Sequence, residues 1–190
     1  MRDLVVATLT ESAQTTLKAA ETMADAVVRA AEAIIASLRS GGTVAFCGNG
    51  GSAADAQHLA GELVGRFRRE RPAYSAIALT TDTSILTAIG NDYGFDQVYS
   101  RQVEGLLRSG DVLVAISTSG TAENVLRAVR LAKEKGVLTI GMTGSNGGPL
   151  AEEADLCLQA PHTVTARAQE VHITVGHAIC DLVEGALAEA

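Results

Sequence analysis

Tryptophan is absent from the 190 residues, and Phe and Tyr contribute only three each. So little aromatic surface argues against stacking platforms for single-stranded nucleic acid. Positive charge is in the minority: 15 Lys and Arg face 22 Asp and Glu, a formal net charge of −7. That balance disfavours nonspecific binding to nucleic acid or to anionic membranes. Cys47, Cys157 and Cys180 are odd in number, and no two have CxxC spacing. Cys47 and Cys157 lie in apolar, strand-like runs and are expected as buried free thiols. No apolar run is expected to reach the length of a membrane span. The N-terminal MRDLVVATLTESAQ lacks the hydrophobic core of a signal peptide. The expectation is a cytoplasmic chain without nucleic-acid or membrane partners. A GxxxxGK[ST] sequence is missing too, which excludes the P-loop type of ATP site.

What is present is globular: 47% apolar and 19% charged residues, enough chain to bury a real core. Residues 3–39 contain no Gly or Pro and carry helical periodicity through Val27, Val28, Ala31, Ile34, Ile35 and Leu38. They predict one long helix or two, stopped by Ser40-Gly41-Gly42. Strands are expected at 43–47, 76–80, 112–117, 137–142 and 155–159. Helices are expected near 52–66, 83–90, 94–108, 122–135, just after Pro149, and 164–187. Alternating units with nearly continuous apolar strands predict an α/β fold, a parallel sheet of about five strands flanked by helices in the flavodoxin-like manner. Residues 1–190 are read as a single domain, a helical arm over 1–40 and an α/β core over 41–190.

Two segments carry the chemistry. In Val44-Ala-Phe-Cys-Gly48-Asn49-Gly50-Gly51-Ser52, a strand runs into a glycine turn and an alanine-rich helix. A turn feeding a helix N-terminus is a site for phosphate. On that helix His58 and Glu62 stand at i and i+4, on one face, able to move protons or hold a metal. The plain alternative is a surface pair worth a few tenths of a kcal/mol, on the order of 0.3. The second segment, Val112 to Asn124, ends its strand in Ser117-Thr118-Ser119-Gly120-Thr121 before another helix. Its hydroxyls and backbone N–H groups can wrap a phosphate without Lys or Arg, and the plain alternative is a helix cap. Gly48-x-Gly50-x-x-Ala53 also fits a dinucleotide fingerprint, but the expected acidic residue at the end of the next strand comes too late, near Asp82. Gln169 and His177 stand about 80° apart on the last helix, with His172 between them as a competing ligand. Arg66, Arg68, Arg69 and Arg71 are read as a solvated helix end.

CGNGGS and ISTSG, in this order and spacing, resemble the sugar isomerase (SIS) domain. GNGGSAADAQHLAGELVGRF, TAIGNDYGF, TGSNGGPLAEEAD and RAQEVHITVGH extend the likeness to its phosphoheptose isomerases. The resemblance implies isomerisation of sedoheptulose 7-phosphate to D-glycero-D-manno-heptose 7-phosphate through an enediol. It implies a first substrate loop at Asn49, Gly50, Gly51 and Ser52, further contacts at Asn91 and Asp92, and a phosphate loop at Ser117, Thr118 and Ser119. It implies one zinc per subunit on His58, Glu62, Gln169 and His177, with Glu62 and His177 as the acid/base pair and Glu62 and Gln169 also meeting substrate. A homotetramer with sites between subunits is implied as well. Thr121-Ala122 stands where members often have Asn-Ser, and Ala166 where many have Asp. Two alternatives remain beside the isomerase: a noncatalytic SIS adaptor for the bacterial replication initiator, whose relative lacks the Glu of H-x-x-x-E, and a nucleotide-cofactor-binding protein.

Overall fold

The computed structural model describes residues 1–188; the last two positions of the expected 1–190 domain lie outside the described residues. Helix α1 spans Arg2–Arg39 as one helix. Nothing in it breaks the backbone ladder, and it stops where Gly41 takes φ +78° and the Gly42 N–H reaches back to the Ser37 carbonyl at 2.9 Å. Its buried stripe runs Thr15, Ala19, Met23, Val27, Ala30, Ile34.

Five strands follow: β1 Val44–Gly48, β2 Ala76–Ala78, β3 Val112–Ile116, β4 Leu138–Thr143 and β5 Leu156–Gln159. All pair in parallel, in the order β2-β1-β3-β4-β5. The sheet alternates its side chains between two cores. Val44, Phe46, Val112, Val114 and Ile116 face one core, built from α1, from α2 (Gly51–Val64) and from α7 (Thr165–Ala188). Ala45, Cys47, Leu113 and Ala115 face the other, under α4 (Ser100–Leu106), α5 (Glu123–Glu134) and α6 (Gly148–Glu153). Helix α3 (Thr83–Asp92) follows the edge strand β2. This strand order reverses direction between β1 and β3, and ligands bind outside the carboxyl ends of the strands at such a point. Both motif loops leave those two strands.

Three expectations are corrected. The helix expected over 94–108 is a 3-10 turn, Phe95–Gln97, followed by the short α4. Gly94 at φ +91° starts it afresh, and the Gln102 amide ties α4 to the carbonyls of Leu79 and Val98. By length and composition α7 passes as a membrane span. Here it is a core helix: its Val171, His172, Val175, Ile179, Val183 and Glu184 are buried. Cys157 is only half-buried, whereas burial pushes the thiols of Cys47 and Cys180 up to about 12.

Candidate active site

The loop after β1 is shaped by close approaches. Gly50 has φ +56°, and a Cβ on Gly51 would collide with the Gln169 amide of α7. Asn49 and Asn124 exchange two hydrogen bonds, each 2.9 Å, so this loop is locked to the first turn of α5. The Tyr99 hydroxyl donates to the Gly48 carbonyl beneath it. In the second loop Ser117 is buried, Thr118 half-buried and Ser119 exposed. Gly120 turns the chain at φ +67°, where a side chain would strike the Gly147 carbonyl. The Ser119 and Thr121 hydroxyls meet at 2.9 Å, and Ala122 at the N-cap of α5 supplies no side-chain cap. Of the two readings of the hydroxyls, the cap is therefore the poorer fit. The loop after β4 braces this turn: Gly144 N–H donates to Thr118 carbonyl at 2.9 Å and Leu150 N–H to Gly120 carbonyl at 3.0 Å.

Helices α2 and α7 form a seam running away from these loops. Gly176 lets them approach, since a Cβ there would sit 2.6 Å from Leu59 Cδ2. Next to it, His177 Nε2 lies 3.0 Å from His58 Nε2, which lies 3.1 Å from Glu62 Oε1. Two imidazole nitrogens at that distance cannot both carry protons toward each other; one is a bare acceptor, or both face a cation. Their atoms and the carboxylate oxygen lie within 4.8 Å of one another. Two imidazoles and a carboxylate are a zinc donor set, and tetrahedral ligands stand about 3.4 Å apart when each is about 2.0–2.1 Å from the metal. The residues fit such an ion. The side chains of His58 and Glu62 are 47% and 24% exposed, so the cluster is open to a ligand. The Phe67 ring stacks on His177, centroids 5.4 Å apart.

The structure thus gathers His58, Glu62 and His177, and sets the fourth expected ligand, Gln169, against Gly51 at the loop end of the seam. His172 does not compete: it is fully buried, its Nε2 bonds the Thr143 carbonyl at 2.9 Å, and burial pulls its pKa below the ordinary range. Asn91 and Asp92 are exposed at the end of α3, bonded to each other and, among the described residues, to no other candidate side chain. Arg66, Arg68 and Arg69 are exposed just past the end of α2, as expected, but Arg71 is not. Helix α2 stops at Val64, and the Arg71 side chain, 2% exposed, pairs with a fully buried Glu184. Sequence reasoning passed over Glu184, Phe67, Tyr99 and Asn124, because their partners lie far away along the chain.

The SIS domain family matches residues 9–144 of this sequence. The phosphoheptose isomerase of Rhodospirillum rubrum is 60% identical over 164 residues, 86% of this chain and 87% of that protein. The chain belongs to the phosphoheptose isomerases of the SIS domain family. The enzyme of that name from Neisseria meningitidis serogroup B is 49% identical across all of this chain and 98% of its own length. Among solved structures, phosphoheptose isomerase GmhA from Neisseria gonorrhoeae superposes with TM-score 0.92 at 47% identity, covering 97% of this chain and 98% of that one. A phosphoheptose isomerase from Francisella tularensis gives TM-score 0.93 at 38% identity, covering 96% and 97%. The SIS-type fold read from the two loops is therefore the fold of this family, and the chain is an isomerase rather than a noncatalytic adaptor or a dinucleotide-binding protein.

Proposed function

We infer that this protein interconverts sedoheptulose 7-phosphate and D-glycero-D-manno-heptose 7-phosphate. The observation that carries the reading is the His58–Glu62–His177 cluster on a seam that opens from two phosphate-competent loops. Asn49, Gly50, Gly51, Ser52, Ser117, Thr118 and Ser119 would hold the phosphate end through hydroxyls, backbone N–H groups and the N-terminus of α5. Asn91, Asp92 and Gln169 are read as sugar contacts. The carbonyl end then reaches the cluster. Glu62 takes a proton from C1 of the ketose while O2 is protonated, giving the enediol. The O1 proton then leaves, and Glu62 returns a proton to C2. His177 carries the protons between the two oxygens. Proton balance is complete, and no redox partner is required.

His58, Glu62 and His177, with Gln169 within reach of the same seam, would hold one zinc per subunit. When bound, the ion supplies Lewis-acid polarisation of the carbonyl. We also infer a homotetramer. The exposed Leu4, Val5, Val6, Leu9, Leu17 and Val28 of α1, and a groove of about 310 Å³ between α1 and α7, support it. Residues 1–190 are taken as one domain, with the 1–40 arm packed on α7. Three free thiols suit the cytoplasm. The deciding assay incubates the purified protein with sedoheptulose 7-phosphate in deuterated water and follows the sugars by NMR. Deuterium should enter C2 of the aldose. Turnover that depended on NAD or ATP would overturn the reading.

A further inference from the structure

Glu184 is a fully buried acid that the isomerisation does not use. Its carboxylate accepts the backbone N–H groups of Phe67 at 3.0 Å, Arg68 at 2.7 Å and Arg69 at 2.8 Å, and the Arg71 Nε at 3.2 Å. Burial pushes this carboxyl up, but the three backbone donors and the Arg71 charge outweigh it and hold it below the ordinary carboxylate range. Arg71 in turn stacks over the Tyr74 ring and donates to the carbonyls of Glu62 at 2.9 Å, Leu63 at 2.8 Å and Gly65 at 3.2 Å. Those are the orphan carbonyls at the end of the helix that carries His58 and Glu62.

His177, Asp181 and Glu184 stand at i, i+4 and i+7, on one face of α7. Asp181 joins the same clamp by pairing with Arg68 at 3.0 Å and Arg69 at 3.2 Å. The peptide that Glu184 grips begins at Phe67, whose ring lies on His177. One face of α7 therefore presents His177, grips the 67–69 peptide that follows α2 and, through Arg71, holds the end of the helix that presents Glu62.

We propose that Arg71 and Glu184 are positioning residues for the isomerisation, holding Glu62 and His177 in register across the α2–α7 seam. The proposal rests on Glu62 and His177 being the proton-moving pair. Neither clamp residue touches substrate; each acts through backbone and ring contacts on residues that do. A misplacement of about 1 Å at such a pair costs on the order of a hundredfold in rate. The phosphate loops lie at the other end of the seam, so binding of the sugar phosphate is left alone. A brace that matters only for folding lowers the amount of active protein and leaves the rate per folded molecule unchanged.

The test uses the full-length protein at matched metal content, with kcat, KM and circular dichroism melting measured together. Arg71→Lys keeps a cation beside Glu184 but cannot bridge three carbonyls. Its kcat per folded molecule should fall about tenfold to a hundredfold with KM within about twofold. A folded Arg71→Lys with wild-type kcat overturns the proposal. Should that variant fail to fold, Phe67→Leu keeps the Arg71–Glu184 clamp and removes the ring that lies against His177 and under the Arg68 guanidinium. Its kcat per folded molecule should fall with KM within about twofold, and a wild-type kcat there overturns the proposal. Glu62→Gln separates the two levels. If it stays active, the acid/base reading falls and the clamp's role with it; if it is dead while Arg71→Lys runs at full rate, only the clamp's role falls.

Discussion

A single oxygen separates two outcomes at position 62. Glu62→Gln preserves shape and the contact with His58 but cannot accept a proton from carbon. Turnover should vanish while the melting curve and sugar-phosphate binding persist; substantial residual turnover in the NMR assay would remove Glu62 as the base. At the loop end, Ser119 is exposed and its hydroxyl is shared with Thr121 at 2.9 Å. Ser119→Ala should weaken sugar-phosphate binding by about 1–2 kcal/mol, the worth of a hydrogen bond to a charged group. Calorimetry with sedoheptulose 7-phosphate and with the unphosphorylated sugar reads this directly, since the loss should appear only for the phosphate ester. Thr121 keeps a hydroxyl in this turn although Ala122 has none.

Element by element, the spacing between α2 and α7 decides whether His58 and His177 meet. Gly176 sets that spacing against Leu59. Gly176→Ala gains up to about 1 kcal/mol of helix propensity but overpacks the seam, which costs about 1–3 kcal/mol. The balance is a net loss of about 0–2 kcal/mol, so the melting temperature should fall by up to several degrees, together with a clear fall in kcat as the imidazoles part. An unaltered kcat would show that the seam tolerates a wider gap. The same seam explains why α7 looks like a membrane span on paper. A helix apolar on several faces suits burial between α1 and α2 as well as it suits lipid, and only the contacts tell the two apart.

For the molecule as a whole, the Glu184 clamp couples stability to pH. Its folded pKa lies below the ordinary 4.5, so its contribution is fully present above that value and is lost as pH falls through the folded value. In denaturant titrations the gap between wild type and Glu184→Gln should be constant above about pH 4.5 and shrink below it. A gap that stays constant to pH 3 would mean that the carboxylate is not held ionised. Metal removal probes the other end of the seam. If zinc is resident, chelation should abolish turnover and added zinc restore it, with elemental analysis reading near one ion per chain. Full activity in metal-free protein would leave His58, Glu62 and His177 as a proton-moving cluster alone.

The alternation of strand and helix, the helix-breaking glycines and the two polar loops after β1 and β3 were legible in the sequence, because each depends on neighbours a few residues apart. So was the pairing of His58 with Glu62, which one helical turn guarantees. The meeting of these with His177 was not, since it depends on how closely α7 lies on α2, set by Gly176 and Leu59. Nor was the fate of Arg71: local charge predicted a solvated helix end, which holds for Arg66, Arg68 and Arg69, but a carboxylate 113 residues further on drew Arg71 inside. Local physics determined the elements and the loops; burial across long sequence separations decided which side chains became a site and which became its support.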